Sequence, residues 1–370
     1  MKGKFKILAT AAGVVTALTA VPLAVTGKVY EKHLDKRVHT PEYRRFEMDE
    51  FPGLKRQAHP FRSQQNCQLS GYLYYRENQP CRGLIVMAHG IGAGHIAYLD
   101  IINFFAKEGF SVFAYDTSGF DDSEGSIRGL QQTVDDLDRA ISLAEHFDRV
   151  KDCPVLLFGH SWGAYSVSHV LPFHPEVTAI ITLAGFDRNR DLISYYGREI
   201  AGSFTKAVLP YACVYDRMKF GKYHDSSAAD IFRHHDIWVM AVTGDRDQVV
   251  PPRFGYDIWK NEFSGEKSFR FVKRNNRGHG TLYYSDRATE YLLGMFKQMS
   301  NEMPFEVVAG RMETHINQIS DYYVENVDRE FYRDMIDYDF AKEMVDFYIE
   351  AIEYREKRGD IYRCSAERRE

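Results

Sequence analysis

A serine flanked by glycines is the clearest candidate for chemistry in this 370-residue sequence. Gly159-His160-Ser161-Trp162-Gly163 directly follows a continuous apolar run and opens a segment with helical spacing. A G-x-S-x-G sequence between a buried strand and a helix is typical of a sharp turn that projects the serine Oγ above a sheet. We therefore predict that Ser161 is a nucleophile, and the alternative is a serine that only caps the helix.

A serine hydroxyl needs a base beside it, and that base needs a third group to orient it. His279 is the candidate base, because it follows the last predicted strand in a loop with a glycine on either side. Asp247, in a loop just beyond another strand, is the candidate acid. Asp245 is an alternative, although its place nearer the strand end favours local turn hydrogen bonds. Asp187, after the preceding strand, is a third option.

Acyl transfer also needs backbone N–H donors where negative charge develops on the carbonyl oxygen. The glycine-rich turn His89-Gly90-Ile91-Gly92-Ala93-Gly94-His95 follows a buried strand. We predict that the amides of Ile91 and Trp162 form this oxyanion hole. Phosphate binding by the turn is disfavoured, since the sequence has neither G-x-x-x-x-G-K nor G-x-G-x-x-G. No cofactor and no metal are predicted.

The elements that must position these residues alternate along the chain. Continuous apolar runs indicate strands buried on both faces, and amphipathic segments between them indicate helices. This alternation predicts an α/β fold with a mostly parallel sheet and helices on both faces. The predicted strands are 71–76, 83–88, 111–115, 155–158, 179–183, 238–242 and 268–272, and the predicted helices are 98–108, 130–147, 253–262 and one from 162.

Other segments interrupt or flank this pattern. We predict one α/β domain at 63–300, with an aromatic-rich helical cap inserted at about 187–235. An ordinary crossover with extra helices is the alternative for the cap. Residues 29–62 are charged and aromatic with little periodicity, which indicates a stalk or entry segment. Charged and aromatic residues at helical spacing predict a helical extension at 301–370.

The amino terminus is apolar for long enough to suggest a membrane segment. An uncharged stretch at 7–27 follows Lys2, Lys4 and Lys6, and its length suits a helix across a bilayer. It lacks a good small-residue cleavage site, so we predict that residues 1–28 are a signal anchor, with a cleaved signal peptide as the alternative. The expected location is membrane-anchored with the catalytic domain outside the cytoplasm, or secreted after cleavage.

Composition narrows the class of protein further. The net charge of −5 and the short, mixed Lys/Arg clusters give no basic field for nucleic acid. The five cysteines are odd in number and lack C-x-x-C spacing, which indicates free thiols and no zinc site. Cys67 and Cys81 flank a predicted strand, and pairing between them stays open.

These motifs together resemble the α/β-hydrolase superfamily, in particular the branch with monoacylglycerol lipases, lysophospholipases and serine aminopeptidases. The resemblance runs from about Gly71 to Met299, and a loop at 116–125 is similar to that branch's D-x-R-G-x-G-x-S-x-G sequence, with Ser118 and Asp121 at its Arg and Gly positions. The residues that carry the rest of it are His89-Gly90, Gly159-His160-Ser161-Trp162-Gly163, Gly244-Asp245-Arg246-Asp247, Val250-Pro251 and Gly278-His279.

The resemblance implies a serine hydrolase that needs no cofactor. An aromatic cap and a membrane anchor both favour an apolar or lipid acyl ester, and a small molecule or lipid is the expected partner. Serine aminopeptidase-like amide hydrolysis is an alternative that would need a carboxylate for the free amino terminus, for which Glu199, Asp216 and Asp230 are candidates. An acyltransferase and a non-catalytic binding module on the same fold are the further alternatives.

Overall fold

The apolar runs of the sequence form the middle of one mixed sheet. The computed structural model describes residues 23–28, 36–302 and 312–359. The strands within these residues are β1 (Leu54–Ala58), β2 (Phe61–Arg62), β3 (Gln68–Leu69), β4 (Gly71–Arg76), β5 (Leu84–Ala88), β6 (Ser111–Tyr115), β7 (Val155–His160), β8 (Ala179–Leu183), β9 (Trp238–Gly244) and β10 (Phe269–Arg274).

Eight of these strands pair in the order β1-β4-β6-β5-β7-β8-β9-β10, and β2 pairs with β3 separately. β4 runs antiparallel to both of its neighbours, β1 and β6, whereas all pairings from β6 to β10 are parallel. Every residue of β5, β6, β7, β8 and β9 is buried, as expected for strands covered on both faces. The predicted mostly parallel α/β fold is confirmed.

Helices cover both faces of this sheet. The α-helices described after residue 98 are α1 (Leu99–Lys107), α2 (Gln132–Ala144), α3 (Trp162–His169), α4 (Asn189–Ala201), α5 (Thr205–Phe220), α6 (Ala228–Arg233), α7 (Tyr256–Phe263), α8 (Asp286–Glu302), α9 (Met312–Asn326), α10 (Arg329–Tyr332) and α11 (Tyr338–Lys357). The chain moves outward from β5 to β6 through α1 and returns to β7 through α2. Because such crossovers are right-handed, α1 and α2 lie on opposite faces.

The carboxyl-terminal helix packs into the core of this sheet. The rings of Tyr348 in α11 and Phe105 in α1 have centroids 6.1 Å apart, so the two helices share one face. The Tyr348 hydroxyl donates a hydrogen bond to the carbonyl oxygen of Leu157 in β7 at 2.7 Å. Residues of the predicted 301–370 extension therefore help to cover the central strands.

The segment before the predicted domain also joins the sheet. β1 forms its edge by pairing with β4, and Phe46 and Phe51 before it are buried. Four of the five β1 residues are exposed, which explains why no apolar run marked this strand in the sequence. The domain bounds of 63–300, with a cap at 187–235, stay a prediction.

The prediction of a membrane-anchored location was wrong. No helix in the described ranges is long and apolar enough to cross a membrane. Residues 23–28 of the expected anchor form a short helical segment in which Thr26 and Gly27 are buried. A Cβ atom on Gly27 would lie 2.7 Å from the Tyr215 ring, so this segment packs against α5. The remainder of the 7–27 stretch lies outside the described residues.

The described cysteines are free thiols. The Cys81 thiol donates to the carbonyl oxygen of Gly83 at 3.3 Å, and Cys67 lies beside Gly125. The two residues are not joined to each other, and Cys364 lies outside the described residues.

Candidate active site

Ser161 lies at the turn from β7 into α3. Its backbone has φ 57° and ψ −113°, a region that L-residues rarely adopt and that indicates local strain. A Cβ atom on Gly159 would lie 2.3 Å from the Gly163 carbonyl oxygen, and one on Gly163 would lie 1.9 Å from the carbonyl oxygen of Ala88. Both glycines are therefore required by the close packing of α3 against the strands, and the turn holds Ser161 at the carboxyl edge of the sheet.

The glycine-rich turn after β5 lies directly beside this serine. A Cβ atom on Gly90 would lie 3.3 Å from the Ser161 Cβ. The Gly90 N–H donates to the Tyr98 hydroxyl at 3.2 Å, and its carbonyl oxygen accepts from His89 Nδ1 at 2.8 Å. The peptide groups that precede Ile91 are thus held on both sides.

The two predicted oxyanion-hole residues, Ile91 and Trp162, lie in different structural elements. Trp162 is the first residue of α3, so its amide has no carbonyl partner within that helix. The Ile91 side chain is exposed, at 37%, in the turn next to Gly90. Their amides lie on the two segments that meet at Ser161, one from β7 and one from β5.

Two carboxylates anchor the far end of the same turn. The Asp116 Oδ1 atom accepts from both the backbone N–H and Nδ1 of His95 at 2.8 Å. The Gly94 N–H donates to the Thr40 hydroxyl, which in turn donates to Asp121 Oδ2. A Cβ atom on Gly94 would lie 2.3 Å from Asp121, so only glycine fits there.

Asp247 and His279 form a hydrogen-bonded pair. His279 Nδ1 lies 2.9 Å from Asp247 Oδ2, and the Asp247 side chain is fully buried while 18% of the His279 side chain is exposed. The other carboxylate oxygen of Asp247 accepts from the amides of Val249 and Val250. An ionised carboxylate only accepts, so His279 carries its proton on Nδ1 and Nε2 is left to accept one.

The alternative acids bond elsewhere. Asp245 Oδ1 accepts from the Arg277 amide at 3.3 Å, within the loop that precedes His279. Asp187 is buried and accepts from the Ser227 hydroxyl, the Ala229 amide and the indole of Trp259. Among these three carboxylates, the structure brings Asp247 together with His279.

His160, the residue before the serine, was not singled out from the sequence as a functional residue. Its Nε2 lies 2.9 Å from the His279 carbonyl oxygen, and its Nδ1 lies 2.9 Å from the Tyr98 hydroxyl. Because a carbonyl can only accept, Nε2 carries the proton and Nδ1 accepts from Tyr98. Burial, together with the nearby His279, lowers the pKa of His160 to about 3, so the ring stays neutral.

Comparison with known proteins agrees with this fold. A family model described as serine aminopeptidase, S33, matches residues 79–222. An esterase of Pyrococcus furiosus aligns with a TM-score of 0.51 and 15% identity over 72% of this chain and 96% of that structure. A second crystal form of it gives a TM-score of 0.50. The chain therefore has an α/β-hydrolase fold.

A curated relative of this chain is the quorum-quenching protein AidA of Acinetobacter baumannii (strain MDR-ZJ06). It is 30% identical over 121 residues, which are 32% of this chain. The match spans 40% of the length of that relative.

The two residues that depart from the loop sequence of the resembled branch, Ser118 and Asp121, both have hydrogen-bond partners in the structure. Asp121, at the Gly position, has φ 37° and binds the backbone N–H and hydroxyl of Thr40. Ser118, at the Arg position, donates from its amide and hydroxyl to Asp136. Asp121 thus attaches the amino-terminal segment to the glycine-rich turn.

Helices α4, α5 and α6 carry the candidate amine-binding acids. Asp216 is buried, accepts from the Asp225 amide, and borders a cavity of about 280 Å³ between α4 and α5. Burial raises the pKa of Asp216 to about 7. Asp230 is exposed and ion-paired with Arg188 and Arg233, and the Glu199 side chain lies outside the described part.

One group of side chains has the composition of a metal site. Potential ligand atoms of Glu145, His174 and Glu176 lie within 4.8 Å of one another. His174 already bonds to Glu176 through Nδ1 at 2.6 Å and to Asp138 through Nε2 at 2.9 Å. A protonated imidazole satisfies these carboxylates without a metal, so the network needs no ion.

Proposed function

We propose that this chain is a serine hydrolase that cleaves a carboxylic ester through an acyl-enzyme on Ser161. The observation that carries the proposal is the hydrogen bond between His279 and the buried carboxylate of Asp247. Because this hydrogen bond holds the proton on Nδ1, His279 Nε2 is unprotonated and can accept a proton from the nucleophile. The strained backbone at Ser161 is a second, independent support.

In the first half of the reaction, the Ser161 Oγ attacks the ester carbonyl while His279 Nε2 takes its proton. Asp247 keeps the Nδ1 proton in place and stabilises the imidazolium that forms. The negative charge on the carbonyl oxygen is met by the amides of Ile91 and Trp162, fixed before the reaction begins. Collapse of the intermediate expels the alcohol, which receives its proton from His279.

In the second half, water repeats the attack on the acyl-enzyme. His279 Nε2 takes a proton from the water and returns it to the Ser161 Oγ, which leaves as the acid is released. No atom in this cycle changes oxidation state, and His279 carries the proton in every transfer.

The preference for an ester with an apolar acyl group rests on the helices above the sheet. Phe204, Val214 and Met218 are exposed large apolar residues on or beside α5. The Tyr196 hydroxyl of α4 donates to the Val249 carbonyl oxygen, so α4, which packs against α5, contacts the loop that bears Asp247. Exposed apolar residues on a helical segment that contacts this loop favour an apolar substrate group.

Labelling with a fluorophosphonate probe tests the nucleophile. Wild-type protein should be labelled, Ser161→Ala should not, and Ser264→Ala should behave as wild type because Ser264 is exposed at the end of α7. The absence of labelling in folded wild-type protein would reject a serine nucleophile.

Matched p-nitrophenyl esters and p-nitroanilides then separate an ester from an amide substrate. The match to the serine aminopeptidase model makes amide hydrolysis the second candidate. Faster turnover of an aminoacyl p-nitroanilide than of any ester would favour it. Transfer of the acyl group to an added alcohol would instead identify an acyltransferase.

A further inference from the structure

Arg44 brings a positive charge to the glycine-rich turn beside Ser161. It is the last residue of a 3₁₀ helix, Glu42–Arg44, in the segment that the sequence predicted as a stalk. Its Nη1 atom lies 3.5 Å from the point where a Cβ on Gly92 would stand. Gly92 is exposed and Arg44 is half-buried, so the guanidinium borders the surface of the turn that contains Ile91.

No carboxylate neutralises this guanidinium at ion-pair distance within the described residues. The groups that act on it electrostatically are the phenol groups of Tyr43, Tyr98, Tyr284 and Tyr332. Asp100 is also nearby, but burial raises its pKa to about 7 despite the opposing effects of the Ile101 amide and Arg44. A half-buried cation that has phenols and one carboxyl of raised pKa nearby, but no carboxylate at ion-pair distance, is one that an incoming anion stabilises.

The backbone on the amino-terminal side of Arg44 is fixed to the turn itself. The Thr40 N–H donates to Asp121 Oδ1 at 2.7 Å, and the Thr40 hydroxyl accepts from Gly94. The Asp121 carboxylate is the departure from the loop of the resembled branch. It therefore serves to hold the segment that carries Arg44.

The backbone on the other side is fixed by the carboxyl-terminal part of the chain. Arg329 in α10 donates to the carbonyl oxygens of Tyr43 and Arg45, the two neighbours of Arg44. Arg329 is itself held by a bidentate pair with Glu50, at 2.7 and 2.8 Å. Two segments outside the predicted 63–300 domain thus hold Arg44 in place.

Arg44 is also linked to the residues that orient the proposed triad. The guanidinium interacts with the Tyr98 hydroxyl, which accepts from the Gly90 amide and donates to His160. A group bound at Arg44 would therefore lie next to the turn that contains the Ile91 amide.

From this geometry we infer that Arg44 is a specificity-determining residue that binds a carboxylate or phosphate group of an ester substrate beside the glycine-rich turn. The inference rests on the proposed function and adds the substrate class to it. A guanidinium presents several N–H donors in a fixed plane, which suits the oxygens of either anion.

Pairs of esters that differ only in charge test this inference. Mono-p-nitrophenyl glutarate and its methyl ester place or remove a carboxylate on the acyl side. A 1-acylglycerol 3-phosphate and the corresponding 1-acylglycerol do the same with a phosphate on the alcohol side. Wild-type kcat/KM should favour the charged member of at least one pair by about tenfold or more.

Arg44→Gln should lower that ratio at least tenfold, and Arg44→Lys should lower it less, because a lysine retains the charge but loses the planar donor set. Arg62→Gln is the control, since Arg62 is exposed and bonds to the Asn66 carbonyl oxygen. It should leave the ratio unchanged. Circular dichroism of each variant establishes that it is folded.

The outcomes separate this inference from the proposed function. Equal or faster turnover of the neutral esters by wild type, or an unchanged ratio in folded Arg44→Gln, would reject anion recognition by Arg44 and leave the serine hydrolase intact. Failure of wild type to turn over any ester would reject both. If Arg44→Gln does not fold, the inference is tested by the wild-type preference for the charged ester and by the smaller preference expected of Arg44→Lys.

Discussion

His160 donates a hydrogen bond from Nε2 to the backbone carbonyl oxygen of His279, at 2.9 Å across 119 residues of sequence. The same ring accepts from the Tyr98 hydroxyl, and Tyr98 holds the Gly90 amide. One neutral imidazole therefore connects the loop of the proposed base to the turn of the proposed oxyanion hole. Its place between Gly159 and Ser161 makes this connection part of the nucleophile turn itself.

His160→Ala should lower kcat on the order of 100-fold, because displacing catalytic groups by about 1 Å has an effect of that size. KM should change much less, since His160 touches neither the carbonyl carbon nor the oxyanion in the proposed mechanism. Steady-state kinetics with a p-nitrophenyl ester measure both. The control is His146→Ala, because His146 is exposed and bonds within its own turn. A kcat like that of the control would show that the connection does not position the triad.

Asp247→Asn should lower kcat by roughly 10³- to 10⁴-fold, because an amide in place of the carboxylate favours the wrong tautomer of His279. The fold should persist, since the remaining amide oxygen still accepts from Val249 and Val250. Single-turnover kinetics of acylation measure the effect.

Asp245→Asn is the matched comparison, because Asp245 lies two residues away and bonds to the Arg277 amide. It should retain activity within about tenfold of wild type. A larger loss in Asp245→Asn than in Asp247→Asn would transfer the role of orienting acid to Asp245.

The central strands were predictable because burial on both faces leaves a continuous apolar run. The predicted bounds 71–76, 111–115 and 179–183 coincide with β4, β6 and β8. β1 escaped prediction because an edge strand with one buried residue carries no such run. The helical spacing of α11 was visible in the sequence, but its docking on β7 depends on contacts such as Tyr348 with Leu157 that no local pattern specifies.

The candidate site was predictable where a short motif fixes the backbone. The G-x-S-x-G motif marks the turn at Ser161, and Asp247 and His279 each lie in a loop that follows a predicted strand. Arg44 is different, since a single arginine in a charged segment has no distinguishing neighbour in sequence and gains its position from Asp121 and Arg329. Gly278 and Gly280, which flank His279, are not required by packing, because a Cβ on either would meet no atom within 4 Å.

Gly163→Ala should destabilise the fold by on the order of 3 kcal/mol or more, because a Cβ would overlap the Ala88 carbonyl oxygen and neither strand nor helix can move freely. Thermal unfolding measures the change. Gly265→Ala is the control, since a Cβ there meets no atom within 4 Å. Similar unfolding temperatures for the two variants would mean that the packing of α3 on β5 is looser than described.

The His174 network predicts a loss of stability in mild alkali. Burial alone would lower the pKa of His174, but the hydrogen bonds with Asp138 and Glu176 raise it to about 9. Lys222 and the Tyr223 hydroxyl also face Asp138, and Glu145 faces the imidazole. A pKa raised on folding stabilises the protein below the unfolded value of about 6.5, and this contribution is lost as the pH rises through 9.

Urea unfolding of wild type and His174→Gln at pH 6, 7.5 and 9.5 checks this prediction. The difference in free energy of unfolding between them should be largest at pH 6 and should shrink by on the order of 3 kcal/mol by pH 9.5. His146→Gln should track wild type throughout, because the exposed His146 has no carboxylate partner among the described residues. A difference that does not vary with pH would mean that His174 is held by packing alone. One that grows with pH would mean that its neutral form is the stabilising one.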